Sequence, residues 1–191
     1  MIAVFGGAFN PPTVAHYEVI KHLLKQDFIE KVYVMPVGDH YEKPGLMQAK
    51  HRYWMLKTMV ADIPEAIVFD LEIIANKALK TVETLTILQI LNKEKEFAFV
   101  MGADNLRDLP KWSQHKSLIE KFKMIIYNRG NEDVMALIKM HFPNQIDRFI
   151  VVNDFDELDI SATMYRENPG EQNDLLVPAV ADYIKNHNLY S

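Results

Sequence analysis

Near the amino terminus, two glycines and a histidine have the types and the spacing of a phosphate-binding turn. Gly6 and Gly7 directly follow the apolar run Ile2–Phe5, and His16 falls in the first turn of the helix predicted next. Glycine lets the backbone come close to a ligand, and a helix N-terminus presents unpaired N–H groups and a positive dipole end. We therefore predict a triphosphate cradle at the end of the first strand. An ordinary strand-to-helix turn would contain the same residue types, so this motif alone does not decide between the two.

A second candidate group follows the next apolar run. Lys43 lies in a polar loop there, and Arg52 comes shortly afterwards in a predicted helix. The carboxyl ends of parallel strands meet at one edge of a sheet, so both cations could lie near the first turn. The alternative interpretation is a solvated lysine and a surface arginine, which is the more common fate of such residues.

Asp104 and Trp112 follow the fourth apolar run. A carboxylate at the end of a strand can accept hydrogen bonds from a ribose or a base. A tryptophan in a polar loop can stack on a flat heteroaromatic ring. Without further information, Trp112 could equally well cap the core.

The last candidate group surrounds Ser161. Serine is a favoured N-cap, and a helix beginning after Ser161 would place Thr163 and Arg166 in its first turn. Two hydroxyls, free backbone amides and a guanidinium would then form a second anion site. As a capping motif alone, the segment would look the same.

Composition excludes several classes of protein. The chain has 191 residues, of which 49% are hydrophobic and 25% charged, which predicts one globular domain spanning 1–191. It has no cysteine, which excludes a disulfide scaffold and a cysteine-rich zinc site, and the histidines form no close pair on one helix face, so we predict no metal bound by the protein. A net charge of −5 argues against nucleic acid as a partner. The chain has neither an apolar run of membrane-spanning length nor a signal-peptide pattern, so we expect no membrane partner and a cytoplasmic location.

Apolar runs and helix-period segments alternate along the chain, which predicts an α/β fold with a doubly wound, mostly parallel sheet. No nucleophile elbow, P-loop or Gly-x-Gly-x-x-Gly motif is present, which disfavours a hydrolase, a P-loop kinase and a dehydrogenase. Strands are predicted at 2–5, 32–35, 66–71, 97–101, 124–127 and 149–152, and helices at 14–25, 49–61, 82–91, 117–122, 134–141 and 177–186.

Taken in order, these motifs resemble the nicotinate/nicotinamide mononucleotide adenylyltransferases, a family of nucleotidyltransferases. The family pattern Gly-(Gly/Ser)-x-Phe-(Asn/Asp)-Pro followed by (His/Thr)-x-x-His is matched from Gly6 to His16, with Thr13 at the variable His/Thr position. The late pattern Ile-Ser-(Ser)-Thr-x-x-Arg is matched from Ile160 to Arg166. The segments 81–85 and 176–190 are also similar to the family, so the resemblance covers nearly the whole chain.

The resemblance implies a Rossmann-like nucleotidyltransferase fold and a reaction in NAD biosynthesis. ATP would transfer its adenylyl group to nicotinate or nicotinamide mononucleotide, with release of pyrophosphate. The phosphate of the mononucleotide is already an oxyanion, so it can attack the α-phosphorus of ATP without a general base. Lys80 stands where bacterial nicotinate-type enzymes carry tyrosine, and Arg129-Gly130 lacks their intervening proline. These departures leave the choice between the two pyridines open.

The same resemblance implies roles for individual residues, with Mg²⁺ carried by the ATP phosphates rather than by side chains. His16, Lys43 and Arg166 would be catalytic. ATP would be bound by Gly6, Gly7, Ala8, Phe9, Thr13, His16, Asp104, Ser161, Thr163 and Arg166. The mononucleotide would be bound by Lys43, Thr81, Thr84, Trp112 and Arg129.

Two other functions stay open at this point. A pantetheine-phosphate adenylyltransferase would share the first and last motifs but would not need Trp112. A nucleotide sensor without catalysis would be favoured if His16 or Arg166 were missing, and both are present. The sequence does not specify an oligomeric state, so a homo-oligomer is compatible with it.

Overall fold

The computed structural model describes residues 1–128, 133–156 and 158–190. Its centre is a six-stranded sheet in the order β3-β2-β1-β4-β5-β6, in which every neighbouring pair is parallel. The strands are β1 (Ile2–Gly7), β2 (Lys31–Pro36), β3 (Ala66–Val68), β4 (Phe97–Gly102), β5 (Lys123–Tyr127) and β6 (Phe149–Val152). All six predicted strands are present.

The helices alternate with the strands as predicted, and two short ones were not predicted. They are α1 (Val14–Leu24), α2 (Ala49–Met59), α3 (Leu71–Ile74), α4 (Thr81–Leu91), α5 (Ala103–Asp108), α6 (His115–Lys121), α7 (Val134–His141), α8 (Ala162–Glu167) and α9 (Pro178–Asn186). The unpredicted helices are α3 and α5. The prediction of a strand over 66–71 was too long, because the carbonyl of Asp70 accepts from the amides of Ile73 and Ile74 and begins a helical turn instead.

Alternate residues of each strand face two separate cores. Ala3 and Phe5 pack with α1, α2 and α9 on one face of the sheet, whereas Ile2 and Val4 pack with α4, α6 and α7 on the other. Strands buried on both faces have near-continuous apolar sequences, which is why they could be recognised. The two covered faces confirm the predicted doubly wound architecture.

The strand order places a crevice beside the first turn. From β1 the chain first builds outward through β2 and β3, then returns to the other side of β1 for β4, β5 and β6. Such a reversal opens a crevice at the carboxyl ends of the two central strands, where α/β proteins bind ligands. The turn after β1 lies at this point. None of the helices in the described part of the chain is long and apolar enough to cross a membrane.

Candidate active site

The turn after β1 has a tightly packed and unusual backbone. Phe9 adopts φ +46°, a left-handed conformation that is uncommon outside glycine, and its ring is buried against Phe5 and His16 at centroid distances of 5.4 and 5.0 Å. A Cβ on Gly6 would come within 3.1 Å of the Phe99 ring, and one on Gly7 within 3.2 Å of the Phe9 ring. The two glycines therefore let aromatic rings approach the turn that the sequence predicted as a phosphate cradle.

Thr13 orients His16 at the start of α1. The backbone N–H of Thr13 donates to Nδ1 of His16 at 3.0 Å, and the Thr13 hydroxyl lies 2.8 Å from the same nitrogen. A backbone N–H can only donate, so Nδ1 accepts and a neutral ring carries its proton on Nε2. The side chain of Thr13 is fully buried. Its predicted contact with ATP stays a prediction, and the observed contact is with His16.

Arg52 is buried, so its interpretation as a surface arginine was wrong. Its guanidinium donates to the carbonyls of Met47 at 2.7 Å, Ala8 at 3.0 Å and Val37 at 2.6 Å, and Asp39 lies 3.8 Å away. Removal from water lowers the pKa of Arg52, and Asp39 partly offsets this effect. The side chain thus ties the first turn to the loop after β2.

Ser161 begins α8 as predicted, and Arg166 extends from this helix to the first turn. The Ser161 hydroxyl accepts from the Met164 amide at 3.2 Å. The Arg166 guanidinium donates to the Asn10 carbonyl at 2.6 Å and to the Thr163 hydroxyl at 3.0 Å. Residues from opposite ends of the sequence are therefore in direct contact at this site.

Two cavities border the first turn, and a third of about 200 Å³ shares lining residues with both. The first has a volume of about 210 Å³. The site residues predicted from the sequence that line it are Ala8, Phe9, His16, Lys43, Ser161, Thr163 and Arg166. The second has a volume of about 510 Å³. The site residues predicted from the sequence that line it are Gly6, Gly7, Ala8, Lys43, Thr81 and Trp112. Ala8 and Lys43 line both of these cavities. The smaller third cavity shares His16 with the first and Trp112 with the second.

Residues at the start of α4 shape the second cavity. Thr81 lines it directly, whereas Thr84 is buried and its hydroxyl donates to Glu72 at 2.7 Å. Glu72 also lines the cavity; desolvation raises its pKa, and the hydrogen bond from Thr84 partly opposes that rise. The predicted contact of Thr84 with the mononucleotide stays a prediction, because the observed contact is with Glu72.

Trp112 has both a packing contact and a place in the cavity lining, and its stacking on a ligand ring stays a prediction. It packs against the core with its ring edge-on to Phe99 at 6.2 Å, and it lines the second and third cavities. Asp104 is exposed at the start of α5 and is not among the residues that line the second and third cavities. Its neighbour Asn105 lines both of them. Arg129 lies outside the described residues. No role was predicted from the sequence for Asn105 or Glu72, although Asn105 directly follows the predicted site residue Asp104.

The fold and the site define a doubly wound α/β protein with cavities at its topological switch point. Its family follows from comparison with known proteins: the cytidylyltransferase-like family matches residues 4–168, and the chain belongs to that family.

The chain is also similar to individual named proteins over nearly its whole length. It is 30% identical to a protein named probable nicotinate-nucleotide adenylyltransferase from Acholeplasma laidlawii, covering 100% of this chain and 97% of the relative. It is 31% identical to a protein of the same name from Dehalococcoides mccartyi, covering 98% and 95%. The solved structure of nicotinic acid mononucleotide adenylyltransferase from Plasmodium falciparum, complexed with NaAD, superposes with a TM-score of 0.83 at 25% identity over 99% of this chain and 96% of that one.

Proposed function

We propose that this protein transfers the adenylyl group of ATP to nicotinate mononucleotide, forming the dinucleotide and releasing pyrophosphate. The observation that carries the proposal is the pair of cavities that border the Gly6–Phe9 turn, with Ala8 and Lys43 lining both. One nucleotide in each cavity would bring its phosphates together at this turn. The similarity to nicotinate-nucleotide adenylyltransferases along the whole chain supports the same reaction.

The side chains would bind and orient the phosphates rather than form a covalent intermediate. In the first cavity, Nε2–H of His16 and the guanidinium of Arg166 would donate to the phosphates of ATP. Lys43 would balance charge where the attacking phosphate meets the α-phosphorus. Because the attacking oxygen is already ionised, catalysis reduces to in-line positioning and stabilisation of charge on phosphate oxygens.

Magnesium would enter this site with ATP. Among the described residues, no group of three or more His, Cys, Asp or Glu is arranged to hold a metal ion. Mg²⁺ usually keeps several waters and binds through substrate phosphates. A phosphate-bound Mg²⁺ would neutralise charge on the pyrophosphate that leaves, while the side chains named above hold the phosphates.

The start of α4, in the lining of the second cavity, supports the acid rather than the amide form of the pyridine, and desolvation disfavours the ionised form of Glu72 in the same lining. Thr81 and Lys80 line this cavity at the N-terminus of α4, an 11-residue helix whose positive dipole end favours a negative group. The ammonium of Lys80 adds a further positive charge. A nicotinate carboxylate would be attracted to both, whereas a carboxamide carries no charge for them to bind.

The decisive experiment supplies the purified protein with ATP and Mg²⁺ and one acceptor at a time. Nicotinate mononucleotide, nicotinamide mononucleotide and pantetheine phosphate are compared by chromatography of the adenylylated product and by pyrophosphate release. We expect the highest kcat/KM with nicotinate mononucleotide. Turnover of pantetheine phosphate alone would replace the proposed acceptor, and ATP binding without product from any acceptor would favour a nucleotide sensor.

A further inference from the structure

Asn10 is a buried amide with a fixed orientation in the first turn. Only 3% of its surface is exposed. Its Nδ2 donates to the carbonyl of Gly45 at 2.8 Å, and its Oδ1 accepts from the amide of Met47 at 3.1 Å and from the hydroxyl of Tyr190 at 2.8 Å. The two backbone partners determine which end of the amide is oxygen, so the Tyr190 hydroxyl is the donor in its bond with Asn10.

Asn10 connects two segments that carry cations of the proposed active site. Gly45 and Met47 belong to the loop of Lys43, which lines both cavities. The backbone carbonyl of Asn10 accepts from Arg166, which lines the first cavity. Displacement of Asn10 would therefore disturb the Lys43 loop and Arg166 together.

Tyr190 reaches Asn10 from the far end of the sequence. Helix α9 packs on α2, and the chain then turns back, with φ +62° at Tyr190. The Tyr190 ring contacts Tyr165 of α8 edge-on at 5.9 Å. Burial raises the pKa of Tyr190 far above that of a free tyrosine despite the opposing charges of Arg52 and Arg166, so the hydroxyl stays protonated and can donate at neutral pH.

We propose that Tyr190 is a positioning residue for adenylyl transfer, acting through Asn10 on the Lys43 loop and on Arg166. This inference rests on the proposed function. Tyr190 itself lines neither of the two cavities as they stand in the described residues. Its hydroxyl completes the hydrogen bonding of Oδ1, and a buried amide that loses one of its partners is held in place less firmly, which loosens its remaining bonds to the Lys43 loop. Small displacements of catalytic groups cost rate more than they cost binding.

The test is Tyr190→Phe in the full chain, which removes the hydroxyl and keeps the ring against Tyr165. We expect kcat to fall about fivefold, the order expected for one lost hydrogen bond, while both KM values change less than about twofold. The matched control is Tyr183→Phe, whose hydroxyl contacts His51 at 3.1 Å on the α2–α9 interface. The control should keep the wild-type kcat. Wild-type kcat in Tyr190→Phe would overturn the proposal.

A second measurement is independent of turnover. Amide hydrogen exchange of the ligand-free protein reports the Met47 N–H, which donates to the same Oδ1 as Tyr190. We expect this amide to exchange several-fold faster in Tyr190→Phe and at the wild-type rate in Tyr183→Phe. If the wild type makes no product with any acceptor, the proposed function fails, and the exchange rate alone then decides whether Tyr190 holds the loop. An unchanged rate would overturn that link as well.

Discussion

Thr13 and His16 are joined by two contacts at the start of α1: the Thr13 amide donates to Nδ1 of His16 at 3.0 Å, and the Thr13 hydroxyl lies 2.8 Å from the same atom. The imidazole is therefore held with Nδ1 as an acceptor, and His16 lines the first cavity. A neutral ring in this tautomer carries its proton on Nε2 and would donate from there to the phosphate that we propose for this cavity.

His16→Ala should lower kcat by about two to three decades, because removing one donor that stabilises transition-state charge typically costs about 3 kcal/mol. ATP binding should weaken much less. Steady-state kinetics with calorimetric ATP binding would separate the two effects. The control is His22→Ala on the same helix, where the imidazole contacts Tyr127 at 3.0 Å. A folded His16→Ala protein with wild-type kcat would remove His16 from the mechanism.

Arg166→Lys should not restore what Arg166→Ala loses. The guanidinium donates to the Asn10 carbonyl and the Thr163 hydroxyl at once, and an ammonium does not reproduce this planar geometry. We expect the KM for ATP to rise in both variants, with little change in the KM for the mononucleotide. Arg148→Lys is the control. Arg148 lies just before the amino end of β6, and its guanidinium donates to the carbonyls of Ile119 and Glu120. Equal activity of Arg166→Lys and wild type would contradict the assignment.

Trp112→Ala should raise the KM for the mononucleotide because about 1–3 kcal/mol of stacking is lost. ATP affinity should stay nearly constant. Trp112→Phe should recover much of the loss, because a flat ring remains. Trp112 also packs on Phe99, so the alanine variant should melt at a lower temperature in addition. Lower melting with an unchanged KM for the mononucleotide would leave Trp112 as a core residue alone. In the Trp54→Phe background, quenching of the remaining fluorescence by the mononucleotide would report directly on Trp112.

Glu72→Gln should change how stability depends on pH. Desolvation raises the pKa of Glu72 in the folded protein above its unfolded value of 4.5. The folded state then binds more protons than the unfolded state, so this group's contribution to stability falls as pH rises above 4.5. Glutamine lacks this titration and can still accept from Thr84. In urea unfolding, the free energy of unfolding of the variant should therefore rise relative to that of the wild type between pH 4 and pH 7.

Glu83→Gln provides a control of opposite sign. The pKa of Glu83 is lowered by its hydrogen bonds with the Lys77 side chain and the Lys80 amide. Its contribution to stability is therefore lost as pH falls. The free energy of unfolding of Glu83→Gln should accordingly rise relative to that of the wild type toward low pH. Parallel pH profiles for the wild type and Glu72→Gln would show that the Glu72 carboxyl is not desolvated.

Local sequence was sufficient to predict the elements that have a strong periodic pattern. The six strands are apolar because both of their faces are buried, and α8 could be placed because Ser161 is a cap whose partner, Met164, is close in sequence. The helix α3 was missed because Leu71 follows the apolar run 66–69 after Asp70 alone, and local pattern does not distinguish the end of a strand from the first turn of a helix there.

By itself, then, the sequence determined the alternation of strands and helices, the turn at Gly6 and Gly7, and the helix that begins after Ser161, because each depends on neighbours within a few residues. Only the tertiary structure decided that Arg52 is buried among three carbonyls, that Thr84 faces Glu72, and that Tyr190 donates to Asn10. Apart from Met47, these partners lie 12 or more residues apart in sequence, and the same side chains would be solvated in isolation. Packing removes them from water, so each must find a hydrogen-bonding partner among whatever groups the fold has brought alongside it.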